Sequence, residues 1–176
     1  FFLINSMATR AGFILSLDCE GLWGMADQPK VVNAGIICDA SLTQVYSLIS
    51  RVLEGNRLKA TCAFVSAFAA GAQALRAHVP LLRELASQSP AWFAQVLPAI
   101  EDGRIDGWFG EAFYAELRAA GHEMAWHGAT HLSLADQTSV DAVELELQLA
   151  ARLFEALGHS PQSIVFPRNL VGHLDQ

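Results

Sequence analysis

Four short apolar runs, each separated from the next by a long segment of helical pattern, constrain this chain more than any other feature. They are residues 12–17, 59–65, 122–126 and 163–166. Each has the length of a buried strand. Between them, residues 39–54 carry Leu42, Val45, Tyr46, Ile49 and Leu53 at helical spacing, with Gly55 and Asn56 as a stop signal. Residues 67–89 are helical in pattern, with an interruption expected at Pro80. Residues 90–110 read as short helices and loop. Residues 111–120 form another helix, with Gly121 just past its end. The last helix begins near Thr138-Ser139-Val140-Asp141, turns Val143, Leu147, Ala150, Leu153, Phe154 and Leu157 inward, and stops at Gly158. Strands alternating with helices in this way predict an α/β fold with a parallel sheet and right-handed crossovers.

Three of the runs end in polar clusters. The first ends at Asp18-Cys19-Glu20. In extended chain residues i and i+2 share a face, so Asp18 and Glu20 point one way and Cys19 the other. The third run delivers His127, and His131 follows four residues later. On a turn of helix that spacing sets two imidazoles on one face, within reach of one metal ion. The fourth run leads into Pro167-Arg168-Asn169. Strand C-termini of a parallel α/β fold gather at one end, so the three clusters predict a single site. Each cluster also has a plainer reading. Strand-end acids cap helices, and paired histidines arise by chance. His78, just ahead of Pro80, reads as a boundary residue.

The balance of residues narrows the function. A chain of 176 residues is expected to be one domain, and 52% hydrophobic against 16% charged residues excludes wholesale disorder. The net charge of −7 argues against nucleic acid and anionic membrane surfaces, which need a basic stripe. The longest uncharged run, residues 60–75, contains Thr61, Ser66 and Gln73 and is too short to span a bilayer comfortably, so no membrane insertion is expected. Residues 1–4 are apolar, but no basic segment precedes them, so no secretion signal is read. Residues 1–11 are taken as an N-terminal extension, with Met7 an alternative start. Cys19, Cys38 and Cys62 are odd in number and form no C-x-x-C pair, which points to a reducing, cytoplasmic setting.

Two neutral imidazoles and one carboxylate make a three-ligand site with a position left for water. A divalent ion there acidifies water and polarises a carbonyl. A second carboxylate is placed to act as general base. Arg168 is placed to orient that acid through a bidentate contact, or to lower its pKa. The set suits hydrolysis of an amide or ester. Gly21-Leu22-Trp23-Gly24 is too sparse for a dinucleotide-binding fingerprint.

Ser16-Leu17-Asp18-Cys19-Glu20, residues 59–65, the G-H-E-x-x-x-H-x-x-x-H stretch at 121–131 and Phe166-Pro167-Arg168-Asn169 resemble, in order, the opening motifs of the polysaccharide deacetylases, carbohydrate esterase family 4. The resemblance spans residues 12–169. It implies a distorted (β/α) barrel and removal of acetyl groups from an N-acetylated sugar or polysaccharide. It also implies a divalent metal, zinc in the first place with cobalt or nickel as alternatives, held by Asp18, His127 and His131. Asp18, Glu20 and Arg168 are the catalytic candidates. Many members carry two adjacent acids where this chain has Asp18-Cys19, and the acid-x-acid pattern resembles a subset. Two registers follow. Asp18 is the ligand with Glu20 assisting, or Asp18 is the base with a weakened metal site; in the subset register the base position falls on Ser16. The family's later motifs would lie beyond Gln176, so residues 12–176 read as a truncated deacetylase-like domain, with unpaired strand edges, a tendency to self-associate and little activity. A non-catalytic carbohydrate-binding relative is the rival reading, and a non-sugar amide substrate a third. Trp23, Trp108 and Trp126 are candidates for stacking on sugar rings, Trp23 first because it follows the acidic turn.

Overall fold

The computed structural model describes residues 13–173; residues 1–11, read as an extension, lie outside them. In chain order the elements are β1 (Ser16–Cys19), a 3₁₀ turn (Gly21–Met25), α1 (Pro29–Val32), α2 (Asp39–Gly55), β2 (Thr61–Phe64), α3 (Ser66–Arg76), α4 (Val79–Gln88), α5 (Pro90–Phe93), α6 (Val96–Glu101), α7 (Glu111–Ala119), β3 (Glu123–Trp126), α8 (Val140–Ala156) and a second 3₁₀ turn (Pro167–Asn169). The protein is mixed α/β, built on a three-stranded parallel sheet in the order β1-β2-β3.

Register fixes which residues meet at the sheet's C-terminal end. Asp18 lies opposite Ala63, which lies opposite Ala125; Cys19 lies opposite Phe64 and Phe64 opposite Trp126. The first strand therefore runs two residues beyond its expected end, and Asp18 belongs to it. Alternation along β1 is as the pattern requires. Cys19 is buried while Ser16 and Asp18 are exposed. The run at 163–166 forms no full strand. It makes a single parallel bridge, with Trp126 N–H donating to Ser163 O and Val165 N–H donating to Trp126 O, each at 2.8 Å.

Helices pack on the sheet through an aromatic cluster. Tyr46 of α2 stacks on Phe113 of α7 at 4.3 Å, and Phe64 of β2 meets Tyr114 edge-on at 5.1 Å. α8 packs on α3 and α4, and α3 on α7. Most inward assignments hold, and two fail, at Val45 and Leu147. In α2 the buried side holds Tyr46 and Leu53, while Val45 is 52% exposed beside Leu48 and Val52. In α8 the buried side holds Ala142, Glu146, Leu149, Ala150, Leu153 and Phe154, and Leu147 faces out. Pro80 does not break a helix. The break falls at Ala77 and His78, and Pro80 sits in the first turn of α4, where its missing N–H costs nothing. Among the described residues no helix is long and apolar enough to cross a membrane.

Candidate metal centre

The site forms where β1, β2 and β3 end. His127 directly follows β3, and its N–H donates to Phe64 O at 3.0 Å, so the ladder carries its backbone one residue past the strand. The next five residues are not helical, contrary to the i, i+4 expectation. Gly128 has φ +75° and His131 φ +63°. Two left-handed residues turn the chain back and bring the imidazoles together by a loop, with ring centroids 4.8 Å apart. The left-handed His131 carries a backbone cost of about 1–3 kcal/mol that a glycine would avoid. The loop is tied to the start of α3, since Ser66 N–H donates to Gly128 O and Ala67 N–H to Ala129 O, both at 3.0 Å.

The carboxylate that joins the histidines is Glu20. Its Oε2 lies 2.8 Å from His131 Nε2 and 3.5 Å from His127 Nε2, and the three ligating atoms all lie within 4.8 Å of one another. Asp18, expected as the metal ligand, stands beside this triad. Its Oδ2 is 3.8 Å from His127 Nε2 and its side chain is 49% exposed. His127 Nδ1 lies 2.8 Å from Val165 O. A carbonyl only accepts, so Nδ1 carries the proton and the Nε2 lone pair faces Glu20. His127 Nε2 is buried and has no hydrogen-bond partner among the described residues. Buried polar atoms without partners are rare. Two ring nitrogens and a carboxylate oxygen converging in this way fit a divalent cation.

Electrostatics couple the three residues. Burial pushes the Glu20 carboxyl up, but the two imidazoles it faces outweigh burial and hold it at about 2. Burial pushes His127 down, while Glu20, the Val165 carbonyl and Asp18 together leave it raised above its ordinary value.

Arg168 departs from expectation. It makes no hydrogen bond to Asp18 or Glu20. Its Nη2 donates to Asp27 Oδ1 at 2.9 Å, and its guanidinium lies 4.7 Å from the ring centre of Trp92. It still borders the site, because Asp18, Glu20, Asp27, His131 and Arg168 line one open cavity of about 430 Å³. Asp27 carried no sequence signal. Trp23 is fully buried, donates through Nε1 to Trp108 O at 2.8 Å and meets the Trp108 ring edge-on at 5.3 Å. Trp23 and Trp108 are core residues, not stacking platforms. Trp126 packs on Phe154 at 5.4 Å.

Sequence reading also missed Glu146, which lies wholly buried under the histidine loop. A signal existed. Glu146 falls four residues after Ala142 and three before Leu149, on the buried side of α8. No protein-family model, curated protein or solved structure matches this chain.

Proposed function

We propose that the protein is a metal-dependent hydrolase that removes acetyl groups from an N-acetylated sugar or polysaccharide, in the manner of the polysaccharide deacetylases it resembles. The observation that carries the reading is the convergence of Glu20, His127 and His131 with a second carboxylate, Asp18, at the rim. Glu20, His127 and His131 would hold the ion; nitrogen and carboxylate donors favour zinc, with cobalt or nickel able to replace it. A divalent ion there supplies a Lewis acid for the acetyl carbonyl and acidifies a water molecule. Asp18 is exposed and close to His127, so its Oδ2 accepts the proton of the attacking water. This differs from both registers of the family motif, since Glu20 takes the ligand place and leaves Asp18 as the candidate base. Arg168, held by Asp27 at the edge of the cavity, borders the space left for the substrate.

The fold proposed with this function is a portion of a distorted (β/α) barrel. Supporting it, the parallel strands follow chain order, and the run at 163–166 bridges to the outer side of β3. Sequential order with right-handed crossovers places successive helices on one side of the sheet, as in a barrel wall.

The test is acetate release from N-acetylated glucosamine oligomers by protein loaded with zinc or cobalt. Turnover that is abolished by chelation and by Asp18→Asn, with metal still bound by that variant, supports the reading. A metal-loaded protein that binds the oligomer and releases no acetate is instead the non-catalytic relative. Release of acetate from simple acetamides alone points to a non-sugar amide.

A further inference from the structure

Glu146 is the only acidic residue among the buried polar and charged side chains of the described residues. Among the described residues no Lys, Arg or His forms an ion pair with it. Its partners are donors of the histidine loop. Oε1 accepts from the N–H of Ala129 at 2.8 Å and of Thr130 at 2.7 Å, and Oε2 accepts from Thr130 Oγ1 at 2.8 Å. Both carboxylate oxygens are thus spent on the two residues that lie midway between His127 and His131. A loop that reverses through two left-handed residues points its inner N–H groups away from any ladder. Glu146 satisfies them from below. Gly128 completes the fit, because a Cβ there would fall 2.7 Å from Glu146 Oε1. Helix α8 in turn is anchored on α3 and α4.

We infer that Glu146 is a positioning residue for the metal centre: its carboxylate clamps the loop at Ala129 and Thr130 and so sets the separation of the His127 and His131 imidazoles. The inference rests on reading Glu20, His127 and His131 as a metal centre. The clamp works through reach and acceptor geometry. Glu146→Gln keeps the length, and its amide oxygen still accepts from both N–H groups while its NH₂ donates to Thr130 Oγ1. Glu146→Asp keeps the carboxyl group but is one methylene too short. Outer partners of metal ligands typically govern affinity by about 10–100-fold.

The experiment titrates cobalt(II) into wild type, Glu146→Gln, Glu146→Asp and Leu149→Ala, reading affinity and the cobalt visible spectrum, with thermal midpoints alongside. Leu149 is buried on the same helix and controls for general destabilisation. The expected result is affinity within about threefold of wild type for Glu146→Gln and Leu149→Ala, and at least about tenfold weaker binding with an altered spectrum for Glu146→Asp. Hydrogen exchange at the Ala129 and Thr130 amides reads the clamp without metal, and should accelerate in Glu146→Asp alone. Glu146→Asp equal to wild type in affinity and exchange overturns the assignment. So does Leu149→Ala losing affinity by the same factor at the same drop in midpoint. A wild type that takes up no cobalt overturns the metal reading, and this assignment with it, whatever the exchange data show.

Discussion

The carboxylate of Glu20 lies against the backbone of Gly24, where a Cβ would fall 2.0 Å from Oε1. The atom in the way is the far end of a side chain, so the chain adapts to a methyl group by moving Glu20 rather than by unfolding. Glu20 is also the oxygen donor of the triad, 2.8 Å from His131. Gly24→Ala should therefore separate stability from metal binding. The thermal midpoint should change little, while affinity for zinc or cobalt should fall by about tenfold or more, as for loss of ligand orientation. Calorimetric titration beside a melting curve makes the comparison. Unchanged affinity would show that Glu20 is not a ligand.

The two acids of β1 and its edge should give opposite phenotypes. Glu20→Gln and His131→Ala each delete a ligand and should abolish tight binding of a divalent ion. Asp18→Asn should leave metal affinity within a few-fold, because Asp18 stands outside the triad. Its acetate release should fall at least about a hundredfold, the usual loss for a general base. Asp18→Asn protein that loses its metal would restore Asp18 as the ligand.

How far the sequence disclosed this site depends on which residues act locally. The i, i+2 rule puts Asp18 and Glu20 on one side of an extended chain, and they lie 3.8 Å and 3.5 Å from His127 Nε2, although β1 ends at Cys19 and Glu20, with ψ −17°, is already outside it. It does not say which acid reaches the histidines, since Glu20 leaves the extended conformation at φ −139° and ψ −17° as the 3₁₀ turn begins. The histidine pair was visible by spacing, but it converges through a left-handed loop and not through a helix. Asp27 and Glu146 act across long stretches of chain on Arg168 and Thr130, and pattern reading has no access to such pairs. Glu146 sits on the buried side of α8, where an acid among apolar positions is the one local signal. The run at 163–166 had strand composition, yet pairs only through Trp126.

Arg168 offers a third test. It joins Asp27 at 2.9 Å and covers the Trp92 ring at 4.7 Å. The pair is about a third exposed on each side, so its direct worth is discounted for solvent, and Arg168→Ala should cost about 1 kcal/mol or less of stability, the stacking contact included. Lysine lacks the planar fork and the flat face, so Arg168→Lys should not restore the contact. Because the residue borders the cavity, the larger effect should fall on KM for the acetylated oligomer. Steady-state kinetics of Arg168→Lys and Asp27→Asn, each changing KM alike with kcat nearly preserved, would place the pair at the substrate's edge. A loss confined to kcat would return Arg168 to the role of orienting the base.

The buried ionisable groups predict an unusual pH profile for the metal-free protein. The Glu20 carboxyl is held at about 2 against an ordinary 4.5. A depressed acid contributes stability that is present above pH 4.5 and lost as the pH falls towards 2, an effect on the order of 3 kcal/mol at most. Glu146 has the opposite sign. Burial raises it to about 7 despite the hydrogen bonds it accepts from the histidine loop. The folded state then holds a proton that the unfolded chain has released, so stability falls as the pH rises from 4.5 to 7. His127, raised above 6.5, adds stability below that value which is lost as the pH climbs through its folded pKa. Denaturation in EDTA should accordingly show maximal stability near pH 4.5. Glu20→Gln should flatten the acid limb, and Glu146→Gln the limb between 4.5 and 7. Zinc should reverse the upper limb, since binding requires a neutral His127 and an ionised Glu20, and the gain from added metal should grow as the pH rises through the His127 titration. Chemical-denaturation midpoints across pH 2 to 8, with and without zinc, provide the measurement. A metal-free profile that keeps rising from pH 4.5 to 7 would mean that Glu146 is ionised in the folded protein and that its donors outweigh its burial.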